Sequence, residues 1–464
     1  MKLIVSFCFL VFGLNVFGQN DTAYSKVFGT ERDENICRVE RYKSGFIAVG
    51  TVQTQTKETD IFIELIDSNF TPIEKIEIGT PYIETANDFF IDIDGNIFIC
   101  GQTNAWGKGS YDAYLIMVDS SLSLKWEHTF GSEGWDFSIG LAKGINGQNF
   151  ICIEKNEVDG KRIIDFVAFY ENGTTDLIFS DTISNNINLN CFLTDNAYNF
   201  IVGGNCIDSS GFENAFVASY SASNSINWQT CLMESEDQSI NHLILENNHF
   251  FGVGYTYELG NGNKEYYMVE IDLNGNLIKK SIPNYYPNDD EEAFFIAKTA
   301  KGFGIIAGTK SIGESPGKND FQFIEVTASG TLIDGYNYGW REIDTPTNFI
   351  IDSTGFLLIG NTNSIGHGYG DYVIIDVNEA YSKPHLVFDK VNSSFAQSIT
   401  NIDEIKTMGE NQEILGVKVY DVTGRLILSN KKTPDFRLLP KNQVLIVVWE
   451  LKSSSTINKI IVEN

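Results

Sequence analysis

Short apolar runs, most of them ending in glycine, recur along the chain at nearly equal intervals. They read FIAVG (46–50), IFICG (97–101), FICIE (150–154), VGG (202–204), FFGVG (250–254), GIIAG (304–308) and FLLIG (356–360). Their last residues are 51, 53, 50, 50, 54 and 52 positions apart. Beyond each lies a second run rich in aromatic and β-branched residues: TDIFIELID (59–67), YDAYLIMVD (111–119), IDFVAFYEN (164–172), ENAFVASYS (213–221), KEYYMVEID (264–272), NDFQFIEVT (319–327) and GDYVIIDVN (370–378). Partial period-two alternation predicts strands in both sets. The near-identity of GSYDAYLIMVD (109–119) and GYGDYVIIDVN (368–378) is that of the same strand in two copies of one unit.

Two further strands complete the unit. ICRVERY, FFIDIDG, NCFLTDN, NHLILEN, AFFIAKT and NFIIDST precede the anchors, while IEKIEIG, KWEHTFG, TDLIFSD, INWQTCL, LIKKSIP and TLIDGYN follow the aromatic strands. Turns such as DIDGN and DLNGN suit hairpins. Four antiparallel strands per unit, repeated seven times without helical periodicity, predict an all-β fold: a seven-bladed β-propeller of four-stranded blades. A string of sandwiches needs about 100 residues per domain, and an open solenoid a shorter period. Two segments compete to close the ring, residues 25–29 and HLVFDKV (385–391), and the pattern does not choose between them.

The ends differ from the repeat. MKLIVSFCFLVFGLNVFGQN combines Lys2, an apolar run over 3–12, and Val16 and Gly18 before Gln19, the pattern of a cleaved signal peptide over 1–18. No later apolar run reaches the about 18 residues of a membrane span, so no transmembrane segment is expected in the mature chain. The propeller is assigned to 19–394, and 395–464 to a small C-terminal β module containing GVKVYDVTGRLILS (416–429), LLPKNQVLIVVWEL (438–451) and INKIIVEN (457–464).

This module resembles the C-terminal sorting domain of proteins exported by the type IX secretion system of Bacteroidota. Lys418, Val419, Tyr420, Asp421, Gly424 and Arg425 fit that family's first hairpin, Leu438 and Leu439 its second element, and Lys459 to Val462 its last strand. Asn442-Gln443 stands where the family commonly has glycine, and no Pro-Asn-Pro opening strand precedes 416. The resemblance implies a secreted or outer cell-surface protein, with the type IX machinery as its partner during export. It assigns no chemistry.

Composition narrows the ligand. Sixty-one acidic residues oppose 33 basic ones, for a formal charge of −28, which excludes a nucleic-acid backbone as the natural partner. The cysteines after residue 18 (Cys37, Cys100, Cys152, Cys191, Cys206 and Cys231) form no C-x-x-C pair, and a Cys191–Cys206 disulfide across a hairpin is the candidate bond. The histidines (His128, His242, His249, His367 and His385) show no metal-ligand spacing. No nucleophile elbow or phosphate loop is present, and no cofactor is predicted. Asp92, Asp94 and Asn96, like Asp272, Asn274 and Asn276, alternate as calcium ligands do, but hairpin turns account for them equally and no closing Glu completes an EF-hand.

The longer connections of the repeat open on one face, where binding residues tend to sit on a rigid scaffold. There Trp106, Trp135, Tyr257, Tyr285, Asp289 and Asp290 are the candidate binding residues, with Tyr286, Trp340, Glu291 and Glu292 on the same face. Aromatic faces and carboxylates together suit a glycan or a protein partner. The leading expectation is a binding propeller without evident catalysis. The alternatives are a polysaccharide hydrolase or lyase, which needs two carboxylates spaced across a scissile bond, and a structural envelope or adhesion protein.

Overall fold

Strands covered on both faces are apolar on both faces. In the second strands of the repeat, such as Ile97–Thr103 and Phe200–Ile207, nearly every side chain is buried, whereas fourth strands such as Pro72–Ile78 are largely exposed. First strands such as Asp344–Ile351 alternate buried and half-buried positions. The computed structural model describes residues 23–378, apart from 57, 224, 260–261, 284–289, 311–318, 340–341, 353–354 and 369, together with four strands between 414 and 462. Within 23–378 the strands form seven separate four-stranded antiparallel sheets, the blades of a propeller. Blades 1 to 6 span 34–78, 84–130, 135–183, 187–232, 238–281 and 290–338.

Blade 7 settles the closure. It comprises Asp344–Ile351, Gly355–Thr362 and Asp371–Asn378, with Ala23–Phe28 hydrogen-bonded outside the last. The N-terminal strand therefore closes the ring, and 385–391 lies outside the described residues. Each first strand contacts the first strands of both neighbouring blades all the way round. Apolar clusters fill the blade interfaces, such as Phe62, Ile359 and Tyr372 between blades 7 and 1, or Phe166, Phe200 and Tyr220 between blades 3 and 4.

Ile414–Asp421, Leu426–Asn430, Leu445–Leu451 and Ile460–Val462 form a further antiparallel sheet, with the first and third at its centre. These strands belong to a compact unit separate from Tyr24–Asp389. Among the described residues no helix is long and apolar enough to cross a membrane.

Two local expectations are corrected or explained by register. The disulfide joins Cys206 to Cys231, not to Cys191. In that hairpin Cys206 faces Ile187 and Cys191 faces Gly203, so the two thiols sit on different rungs. At the turns, Asp92 Oδ1 accepts hydrogen bonds from the backbone of Asp94 (2.9 Å) and Asn96 (2.8 Å), and Oδ2 accepts one from Asn96 Nδ2 (2.9 Å). Asp272 does the same for Asn274 and Asn276. These carboxylates close hairpins, as Asx turns do.

Tryptophans on two of the fourth strands tie their blades to the next. Trp126 Nε1 donates to Glu171 O (2.8 Å) and Trp228 Nε1 to Leu273 O (2.9 Å), each 45 residues on in the following blade. Gly275 sits at φ +83°, and a β-carbon there would fall 2.5 Å from the Trp228 ring. Gly275→Ala is expected to cost about 2 kcal/mol from backbone strain and overpacking together, measured by urea denaturation.

The blade junctions share a second device at the loop-bearing end. The third strand of one blade and the first strand of the next begin with matched residues. Asp60 meets Glu84, Asp112 meets Asp136, Glu265 meets Glu291, Asp320 meets Asp344, and Asp371 meets Glu34. At the remaining junctions the equivalent positions hold Asn214 with Gln238 and Ile163 with Ile187. Backbone bonds bring the partners together, including Asp136 N to Tyr111 O (2.9 Å) and Glu34 N to Gly370 O (2.8 Å). A β-carbon on Gly131 would fall 1.7 Å from Asp112 Oδ1 and 2.7 Å from Asp136 Oδ2, so both carboxylates crowd one point and only glycine fits between them.

Candidate functional site

The ring of first strands surrounds the axis, and its mouth lies on the face with the longer loops. Successive side chains of a strand point to opposite sides. The row headed by Glu34, Glu84 and their equivalents is buried between blades, so the alternate row lines the funnel. From the mouth inward, blade 3 contributes Trp135, Phe137 and Ile139, and blade 4 contributes Asn186, Asn188 and Asn190. Blade 5 adds Asp237, Ser239 and Asn241, and blade 6 adds Asp290, Glu292 and Phe294. An apolar stripe therefore stands beside an amide stripe, followed by carboxylate groups, while Ser239 is buried and accepts from Asn190 (3.1 Å).

A bulge in every first strand makes the deepest of these positions. The extra residues are Cys37, Asn87, Ile139, Asn190, Asn241, Phe294 and Thr347. Bulges re-aim side chains, and here the asparagines reach the next blade. Asn87 donates to Ser138 O (3.1 Å), Asn190 to Ile240 O (2.9 Å) and Asn241 to Ala293 O (2.9 Å).

The residue after the bulge also bonds onward. Asp88 Oδ2 accepts from Leu141 N (2.9 Å), Asn348 exchanges bonds with both backbone groups of Val39, and His242 Nδ1 accepts from Ile296 N (3.4 Å). Arg38 forms ion pairs with Asp88 (3.0 Å) and Glu40 (2.9 Å). Burial, with the charge of Arg38 added, pushes His242 down to about 3. The imidazole is thus neutral throughout the physiological range and acts as a fixed acceptor.

Above this level the wall of blades 4 to 6 carries a continuous polar network. Asn188 donates to Asn205 Oδ1 (2.9 Å), Asn205 to Glu213 Oε2 (3.3 Å), and Tyr255 Oη to the same Glu213 oxygen (2.6 Å). Burial and then that bond hold the Tyr255 hydroxyl well above its ordinary pKa, so it remains a donor. Lys264 Nζ lies 4.0 Å from the Tyr255 ring centroid and pairs with Glu292 Oε2 (2.6 Å), whose other oxygen accepts from Asn241 (3.1 Å). A cleft of about 210 Å³ opens here, lined by Lys264, Asp290, Glu292, Phe294, Gly308 and Asn319.

Of the sequence-derived candidates, Trp135 (54% exposed) and Asp290 both belong to the mouth of the funnel, on blades 3 and 6. Trp135 packs against Tyr111 at 5.0 Å. Tyr257 packs edge-on against Tyr255 (6.0 Å), and its N–H bonds to Asp237 O (3.0 Å), which attaches it to the same wall. Trp106 stands apart on the blade 2 loop, against Tyr114, beside a separate cleft of about 430 Å³ lined by Lys108, Asp112, Lys155, Asp165 and Leu177 among others. Tyr285 and Asp289 lie outside the described residues, as do Tyr286 and Trp340.

The funnel asparagines, Phe137, Glu213, Tyr255, Lys264 and Asn319 were not among the candidates. The contrast between WDFSI (135–139) and NINLN (186–190) at equivalent positions was the available signal. Among the described residues no group of three or more His, Cys, Asp or Glu side chains is arranged to hold a metal ion.

No protein-family model matches the sequence, and no curated protein matches it significantly. Solved structures similar to the chain include YCF48 bound to D1 peptide, at 8% identity over 80% of this chain and 100% of that one, TM-score 0.47. A puromycin hydrolase S511A mutant complexed with PGG shares 8% identity over 74% and 52%, TM-score 0.49. The Pan2 WD40 domain of Neurospora crassa shares 10% over 75% and 92%, TM-score 0.45. These likenesses concern fold alone, and the blade assignment rests on the strand pairing itself.

Proposed function

We propose that this propeller is a secreted or surface-displayed binding module whose funnel takes a glycan. The observation that carries the reading is the division of the funnel wall. Trp135, Phe137 and Ile139 offer an apolar surface on one blade, and the next three blades offer amides and carboxylates. A sugar ring has the same two-sided chemistry: C–H groups that stack on an aromatic face and hydroxyls that exchange hydrogen bonds. The amide nitrogens of Asn188 and Asn190 are tethered within the wall, so their orientation is fixed before a ligand arrives, which lowers the ordering cost of binding. The reading includes export: a signal peptide over 1–18, the propeller over 19–394, and a sorting module over 395–464.

The test is affinity electrophoresis of the full chain against neutral, cationic and anionic polysaccharides, with product release assayed in parallel. Retention without products is expected, and Trp135→Ala should weaken it about tenfold, the effect of losing about 1.4 kcal/mol of stacking. Release of new reducing or unsaturated ends would replace this reading with an enzymatic one. Retention unchanged in Trp135→Ala would remove the funnel as the site.

A further inference from the structure

We infer that the cleft between blades 2 and 3 is a second sugar subsite, joined to the funnel mouth by Trp135 and Tyr111. The ligand is then a neutral, linear polysaccharide that lies radially across this junction. The inference rests on the glycan reading and adds the length, charge and path of the ligand.

Strand order gives the path. First strands surround the axis and fourth strands lie outermost in each blade. Trp135 begins the first strand of blade 3, is more than half exposed, and has its ring 5.0 Å from that of Tyr111. Tyr111 directly precedes the third strand of blade 2, Asp112–Val118. Two backbone bonds fasten the blades here, Asp136 N to Tyr111 O (2.9 Å) and Ser110 N to Gly134 O (3.2 Å). The cleft of about 430 Å³ starts beside Tyr111, at Lys108 and Asp112. It continues to Thr129 on the outer strand of blade 2 and Leu177 on that of blade 3. Trp135, Tyr111 and the cleft therefore follow one another outward from the axis.

The chemistry of this track suits a sugar chain. The cleft volume falls within the roughly 300–1,000 Å³ of ligand sites. Half-buried Thr129 and Thr175 bring hydroxyls to it, and exposed Leu177 brings an apolar surface. Its lining charges balance, Lys108 and Lys155 against Asp112 and Asp165, and Lys155 is paired with Asp165 (2.6 Å). In a chain of formal charge −28, a balanced cleft selects neither a cationic nor an anionic ligand. A tryptophan more than half exposed encloses nothing. It offers a face to a unit within a chain, where recognition of a chain end needs a closed pocket.

The experiment is isothermal titration of the full chain with β-1,4-linked oligomers of glucose, mannose and xylose, of two, four and six units. Oligogalacturonates of the same lengths are titrated beside them. Affinity for a neutral oligomer is expected to rise about tenfold from two units to six. Tyr111→Ala keeps the backbone bonds of the junction and should remove most of that gain. Leu177→Arg lays a long cation over the cleft from an exposed position and should do the same. Thermal melts of both variants establish that they are folded.

Affinity independent of length, or a gain that survives both variants, would overturn this inference and leave the glycan reading standing. Tighter binding of oligogalacturonate than of every neutral oligomer would overturn the neutral class. Failure of every oligomer to bind would overturn both readings.

Discussion

Phe28→Ala is expected to destabilise the propeller by about 3–5 kcal/mol, the range for truncating a buried phenylalanine, although its strand is far in sequence from the blade it completes. Phe28 is 3% exposed and stacks on Tyr372 at 4.9 Å with an interplanar angle of 7°. Tyr372 in turn stacks on Phe62 of blade 1 (6.0 Å). The ring therefore closes through three aromatic residues drawn from the N-terminal strand, blade 7 and blade 1. Gly29 continues the contact, since a β-carbon there would fall 1.8 Å from Asp371 Oδ1.

Urea denaturation of the variant should show a lower midpoint. A chain beginning at Thr30 should lose cooperative unfolding, because blade 7 is then left without its outer strand. Loss of less than about 1 kcal/mol in Phe28→Ala would mean that the ring is held closed by other contacts. It would also revive 385–391 as the closing strand.

The repeat was legible because second and third strands are buried on both faces and must be apolar throughout, which leaves a mark such as FFGVG or YLIMV in every unit. Closure was not legible, because a lone strand such as AYSKVF has no neighbour in sequence to identify its partner. The candidate site was half legible. Aromatic and acidic residues near the loops led to Trp135 and Asp290, but both head first strands and owe their position to the ring, not to a loop.

The funnel asparagines escaped notice because an Asn in a strand-ending segment reads as a turn residue. Glu34, Glu84 and Asp344 carried no signal in the sequence either. Acidic residues are seldom fully buried, yet these three have no exposed surface. They became visible only when strand register aligned them across blades.

Those buried acids carry the second large expected effect. Asp136 accepts hydrogen bonds from the Ser132 backbone and hydroxyl and from Asn156 N (2.9 Å). Asp136→Ala strands all three donors inside the junction and should cost about 2–4 kcal/mol. Asp112 has a different role. Burial first, and the nearby charge of Asp136 in addition, hold its carboxyl above the ordinary range, although the N–H groups of Lys108 and Gly109 pull the other way. Asp60 and Asp371 are raised by burial as well, with Glu84 and Glu34 adding to it.

A carboxyl with a raised folded pKa binds its proton more tightly in the folded state. Its stabilisation is complete below the ordinary aspartate value near 4 and is lost as pH rises through the raised value. Asp67, Asp119 and Asp272 act in the opposite sense, held low chiefly by Thr71 N–H, Lys125 and the Asn276 amide. Their contribution disappears as pH falls below the ordinary range. The melting temperature should therefore peak in mild acid and decline toward neutrality.

Asp112→Asn retains an acceptor for Lys108 and Gly109 and removes the like charge, so it should raise the melting temperature at pH 7.5 and flatten that decline. Asp94→Asn makes the same charge change on an exposed turn and separates this local effect from relief of the overall charge of −28. If both variants shift the profile equally, net charge governs the acid dependence. If Asp112→Asn alone flattens it, the crowded carboxylates of the junction are what the proton relieves.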